Sequence, residues 1–291
     1  MNNLNELIFL TIKNPNSPTW FPTLTNQLVN DEWQSLYNYG ITQKNYSTEL
    51  ILDGQDHKSE LAISHLAPKG FNTPVDIYSL PDKILSMYAD SGFKAYSNEE
   101  LKKLPVLQCL QEALDVLALV PSIYETISSL VTCLHIIRPE DDEFDISYSL
   151  PTIPFSIFVS VPSRRRMTND VFRVAEAILH EAMHLQLTLI EKVEPLIVET
   201  KETYFSPWKN ELRHPRGVLH AIYVFCVIKQ FFELLIQNTM LEKTTIEYLT
   251  RRCNDISEQL MEIKSFTDCT YLTKIGSLLI SRLLENLIKH D

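Results

Sequence analysis

Residues 171–185, "VFRVAEAILHEAMHL", place Val171, Val174, Ala175, Ile178, Ala182 and Leu185 at three- and four-residue intervals, the period of one helix face. So apolar a face has to be buried, and the rest of the chain must fold around it. Thr168 or Asn169 stands where an N-cap belongs. The same stretch carries His180 and His184, with Glu181 directly after the first histidine. At 3.6 residues per turn the two histidines lie about 40° apart around the axis and about 6 Å apart along it. Both imidazoles can therefore reach one metal ion, and H-E-x-x-H on a helix is a metal-binding signature.

Around this helix the chain reads as mainly α with a minor β element. It has only six glycines in 291 residues and shows long runs of helical periodicity. Ser97 and Glu100 form a capping box that opens a helix ahead of Pro105, and a helical hairpin to about Leu134 follows. "PFSIFVSVP", β-branched and aromatic between prolines, reads as a strand leading into the motif helix. The N-terminal apolar run reads as a core strand or a helix turn. "GVLHAIYVFCVI", residues 217–228, is a buried helix, short of the roughly 20 residues of a membrane span. Two amphipathic helices, within 244–263 and 271–288, close the chain.

The acidic loop "PEDDEFD", residues 139–145, is the candidate boundary between two parts. Residues 1–138 form an N-terminal helical half that could hold a peptide. Residues 146–291 form the catalytic, metal-binding half, unless both make one compact domain.

Composition limits the partners. With 37 acidic against 26 basic residues and a net charge of −11, nothing draws the chain to nucleic acid or an anionic membrane. The run Arg164–Arg166 is a solvated loop or a local anion site. Five cysteines without a CxxC pair read as reduced thiols, and the first residues lack the basic region of a secretory signal. Both point to the cytoplasm. Oligomeric state is not legible.

Two histidines do not complete a metal site, since a catalytic ion usually takes three protein ligands and keeps an open position. Glu199 and Glu202 stand 15 and 18 positions after His184, near the spacing of peptidases with a glutamate as third zinc ligand. They lie in a charged stretch that reads as solvated. His220, 36 positions after His184, lies in the apolar "GVLHAIYVF", where a lone imidazole needs a partner. His220 is the expected third ligand, which places the metal between two buried helices. In a zinc peptidase Glu181 would be the general base that activates a metal-bound water.

Two segments carry a family resemblance: "IPFSIFVSV…AEAILHEAMHLQLTLIE" and "YFSPWKNELRHPRGVLHAIYVF". Together they resemble the HExxH-type peptide-modification proteins found beside ribosomal-peptide gene clusters. Ser206-Pro207-Trp208, Arg213 and Gly217-Val218-Leu219-His220 stand in the places of that family's motifs, and the resemblance covers about 147–230. It implies an iron(II)- and 2-oxoglutarate-dependent dioxygenase that hydroxylates a side-chain β-carbon in a ribosomally synthesised precursor peptide. The distal carboxylate of 2-oxoglutarate would need a cationic fork, for which Arg213 is the first candidate and Arg216 the second. Glu181 would then orient a ligand or a water, and Trp208 would pack against the site. The alternatives are a zinc-dependent HExxH metallopeptidase and a non-catalytic peptide-binding protein.

Overall fold

The computed structural model describes residues 4–53, 62–88, 94–103, 105–139, 146–164, 169–238 and 241–288. The chain divides into two compact units, Val29–Leu185 and a second one formed by Met1–Leu28 with Gln186–Asp291. Two helices run from one unit into the other: α2 (Pro22–Asn38) and the motif helix α8 (Asp170–Val193).

The unit Val29–Leu185 holds the sheet. Its further elements are α3 (Thr48–Asp53), β1 (Ser64–Leu66), β2 (Val75–Tyr78), α4 (Asp82–Met87), β3 (Lys94–Ala95), α5 (Asn98–Lys103), α6 (Val106–Ala118), α7 (Pro121–Leu130), β4 (Cys133–Arg138), β5 (Ser147–Ser149) and β6 (Ser156–Ser160). The strand order is β1-β2-β4-β6-β5, with β3 paired to the far end of β4. β2, β4 and β6 run parallel, while β1 and β5 are antiparallel to their neighbours. The capping box forms as the sequence predicts: Glu100 N–H donates to Ser97 Oγ at 3.2 Å and Ser97 N–H to Glu100 Oε2 at 2.9 Å, opening α5. The strand expected in "PFSIFVSVP" is β6, buried along its whole length between β4 and β5.

Two expectations need correction. The helical hairpin ends at Leu130, and the following "CLHIIR" is the strand β4, buried from Cys133 to Ile137. A parallel strand covered on both faces is a continuous apolar run, which periodicity cannot tell from a buried helix. The acidic segment is also no boundary between the units. It links β4 to β5, two strands of one sheet, although residues 140–145 themselves lie outside the described residues, as do Arg165, Arg166 and Thr168.

One face of this sheet carries the cluster Leu80, Ile84, Ile137, Ile153 and Phe158, and Tyr148 of β5 stacks on Phe158 at 4.5 Å. A buried polar knot ties α3 to β4 and β6. Thr48 Oγ1 lies 2.7 Å from His135 Nε2 and 2.6 Å from Ser156 Oγ, while His135 Nδ1 lies 2.9 Å from the Ser79 carbonyl oxygen. Burial pushes the His135 imidazole down to a pKa of about 4.

The second unit comprises α1 (Leu4–Lys13), the hairpin β7 (Tyr204–Ser206) and β8 (Glu211–Arg213), α9 (Pro215–Ile236), α10 (Lys243–Glu262), a 3-10 turn (Lys264–Asp268) and α11 (Lys274–Ile288). The N-terminal apolar run is thus the helix α1. The Arg282 guanidinium donates to the carbonyls of Thr11 and Ile12 at 2.8 Å each, satisfying last-turn acceptors of α1 that have no partner within their own helix. Just past the motif, Gln186 Nε2 donates to the Trp20 carbonyl at 2.7 Å, and Tyr223 O–H donates to Gln186 Oε1. α9 is long and apolar enough to cross a membrane by length and composition, yet 67% of its most apolar stretch is buried within the fold. All five cysteines are free.

The entry to α11 is tight. Thr273 N–H donates to the Leu196 carbonyl at 3.0 Å and Thr273 Oγ1 to the Pro195 carbonyl at 2.8 Å, drawing the 195–196 backbone onto the first turn. A Cβ on Gly276 would stand 2.1 Å from the Leu196 carbonyl oxygen. Gly276→Ala is therefore expected to lower stability by about 3 kcal/mol, because the obstacle is backbone rather than a mobile side chain. Urea unfolding measures it, and a loss below about 0.5 kcal/mol, the ordinary size for a surface change, would refute the packing argument.

Candidate functional site

α8 carries His180 and His184 one turn apart, and their Nε2 atoms approach to 3.1 Å. Without a metal this contact is an N–H···N hydrogen bond, one ring donating and the other accepting. It also fits a shared ion, since two nitrogens each bound at about 2.1 Å stand roughly 3.0–3.4 Å apart. The His180 side chain retains 25% of its exposure, which leaves it a path to solvent.

Glu181 faces another way. It is buried, and both carboxylate oxygens are engaged by β5: Ser147 Oγ donates to Oε1 at 2.8 Å and Ser149 Oγ to Oε2 at 2.9 Å. Side chains alternate across a strand, so Ser147 and Ser149 share one face while Tyr148 points to the opposite core. The Ser-Tyr-Ser pattern thus fastens the motif glutamate to the sheet. Glu181 Oε1 lies 3.9 Å from His180 Nε2.

In the second unit His220 of α9 is buried, with Nε2 2.9 Å from Glu191 Oε2. Arg216, one turn earlier, places both Nε and Nη2 at 2.7 Å from the same oxygen. Burial alone would raise the Glu191 pKa, but the hydrogen bonds and charges of His220 and Arg216 outweigh it and hold the carboxyl below its ordinary value. Arg213 ends β8, lies 3.5 Å from Glu211 in a half-exposed pair, and spreads its guanidinium over Gly217. His214 caps α9, its Nδ1 accepting from Arg216 N–H at 3.2 Å and its Nε2 lying 3.1 Å from the Thr200 carbonyl oxygen. Trp208 stacks on Phe225 at 4.9 Å, and the Arg252 guanidinium lies 5.6 Å from the Phe225 ring centroid. Glu199 and Glu202 are exposed, as their charged surroundings suggested.

The structure thus brings His180 and His184 together and sets Glu181 beside them. It places His220 and Arg216 on Glu191, and Arg213 on Glu211. Among the described residues no three His, Cys, Asp or Glu side chains converge as a metal site. Three participants were not read from the sequence. Ser147 and Ser149 are visible only as period-2 alternation in "SYS". Glu191 carries a plainer signal, seven positions after His184 and hence on the same face of α8. No protein-family model matches this chain, and no curated protein is significantly similar to it.

Proposed function

We propose that this chain is an iron(II)/2-oxoglutarate-dependent dioxygenase that hydroxylates a side-chain β-carbon in a ribosomally synthesised precursor peptide, acting in the cytoplasm. The family resemblance in 147–230 and the geometry of the motif helix within it support this reading. The observation that carries the choice between enzymes is the fastening of Glu181. A peptidase needs this carboxylate free to take a proton from a metal-bound water. Here both oxygens are occupied by serine hydroxyls and the group is buried, as suits a residue that fixes the position of the motif helix.

In this reading His180 and His184 hold the metal and present Nε2. His220 is the third donor proposed from sequence, and its contact with Glu191 is the carboxylate partner that ligand imidazoles commonly carry on their other ring nitrogen. Iron(II) with 2-oxoglutarate and dioxygen, when bound, supplies the oxidation that no side chain can perform. Arg213 holds the distal carboxylate of 2-oxoglutarate, its planar fork suiting a bidentate contact. Arg216 is the weaker candidate because its guanidinium is committed to Glu191.

Arg213→Ala is expected to raise the 2-oxoglutarate concentration for half-maximal succinate release by about tenfold or more. That is the effect of losing one charge-assisted hydrogen bond of roughly 1.5–3 kcal/mol. Iron content should not change. An unaltered 2-oxoglutarate dependence would remove Arg213 from the site.

A further inference from the structure

We infer that the outer edge of β5 is the strand on which the peptide substrate docks, adding to the sheet as an extended segment. The identity of the occupant rests on the peptide-modifying reading above; the edge itself rests on hydrogen-bond register. β5 pairs with β6 as Ser147↔Val159, Tyr148↔Phe158 and Ser149↔Ile157, and just before it Ser160 N–H donates to the Ile146 carbonyl at 2.8 Å. In an antiparallel ladder, hydrogen-bonded pairs alternate with pairs that are not bonded. Residues 146 and 148 therefore bond to β6, and the N–H and C=O groups of Ser147 and Ser149 point away from it. β6 follows the same parity. Its odd-numbered side serves β4, with Thr132 and Cys133 donating to the Phe155 carbonyl and Val161 donating to the Ile137 carbonyl.

β5 ends its side of the sheet, and among the described residues no backbone hydrogen bond engages these outward groups of Ser147 and Ser149. They form a row of donors and acceptors repeating at about 7 Å, which the backbone of another extended chain matches. Proteins usually defend such an edge with lysine, proline or an inward charge. β5 is protected only by its three-residue length and carries none of these side chains, and its two serines turn inward to Glu181. A peptide that continues this sheet presents every second side chain on the face that carries Glu181, the residue between the two motif turns. The edge thus fixes the peptide backbone without reading its sequence, and selects which side chains face α8.

The test uses the full-length chain without metal. Its probe is a blocked eight-residue peptide of alternating lysine and valine, extended by propensity and opposite in sign to the net charge of −11. Residue-resolved hydrogen exchange is expected to slow by about tenfold or more at the Ser147 and Ser149 amides as peptide is added, with Tyr148 unchanged. The same peptide N-methylated on alternate residues, in both phases, should give less protection in the phase that removes its donors toward β5. Unchanged exchange at the two serines, or equal protection by both N-methylated peptides, would overturn the proposal. So would protection in the free chain that rises with protein concentration, since a second copy would then occupy the edge. Because no metal or turnover is involved, failure here is separate from failure of the oxygenase reading, which succinate release decides.

Discussion

His180→Ala and His184→Ala are each expected to reduce bound iron(II) from about one equivalent to nearly none while the chain stays folded. Each removes one of the two Nε2 atoms that meet at 3.1 Å, and the donors that remain, one short of the usual three, no longer hold the ion. The fold should survive because neither ring is part of the apolar core, and the His180 side chain keeps 25% of its exposure. Metal analysis of purified, gel-filtered variants, with circular dichroism for the fold, makes the measurement. Full metal content in either variant would show that the imidazole contact is only a hydrogen bond.

The second large effect concerns the fastening of Glu181. Replacing Ser147 and Ser149 together by alanine leaves a buried carboxylate without its two hydroxyl donors. Each hydrogen bond to a charged group contributes about 1.5–3 kcal/mol, so the double variant is expected to lose about 3–6 kcal/mol in urea unfolding. Adding Glu181→Leu to it should recover part of that loss, because an apolar side chain avoids burying a charge that has lost its two hydroxyl donors. A double variant within about 0.5 kcal/mol of the parent would mean that water serves Glu181 equally well and that the serines do not position it. Glu181→Gln keeps one acceptor oxygen, and the oxygenase reading expects it to retain iron and measurable succinate release. A peptidase would lose nearly all turnover.

Part of the fold and of the site is legible in the sequence. The motif helix, the buried helix around His220, the strand β6 and the capping box at Ser97 all rest on local signals: a 3.6-residue period, β-branched composition between prolines, and a three-residue polar spacing. The sheet was largely hidden because its order depends on pairings far apart in sequence. β2 meets β4 as Asp76↔Cys133, and β4 meets β6 as Cys133↔Ser156. A buried parallel strand such as "CLHIIR" offers no alternation to distinguish it from the helix before it. The same holds at the site. His180 and His184 meet within one turn, so spacing was enough. The partners of Glu181 come from residues 147 and 149, a juxtaposition set by the β5–β6 register. Glu191 lay in plain view on the motif helix, but what it binds is fixed by α9.

Succinate release from 2-oxoglutarate by the purified chain, reconstituted in parallel with iron(II) and with zinc(II) and offered fluorescent casein in each case, tests the central claim most directly. The account predicts oxygen-dependent succinate with iron(II), none with zinc(II), and intact casein in both. Casein cleavage with zinc(II) that Glu181→Gln abolishes, without succinate under iron(II), would contradict it.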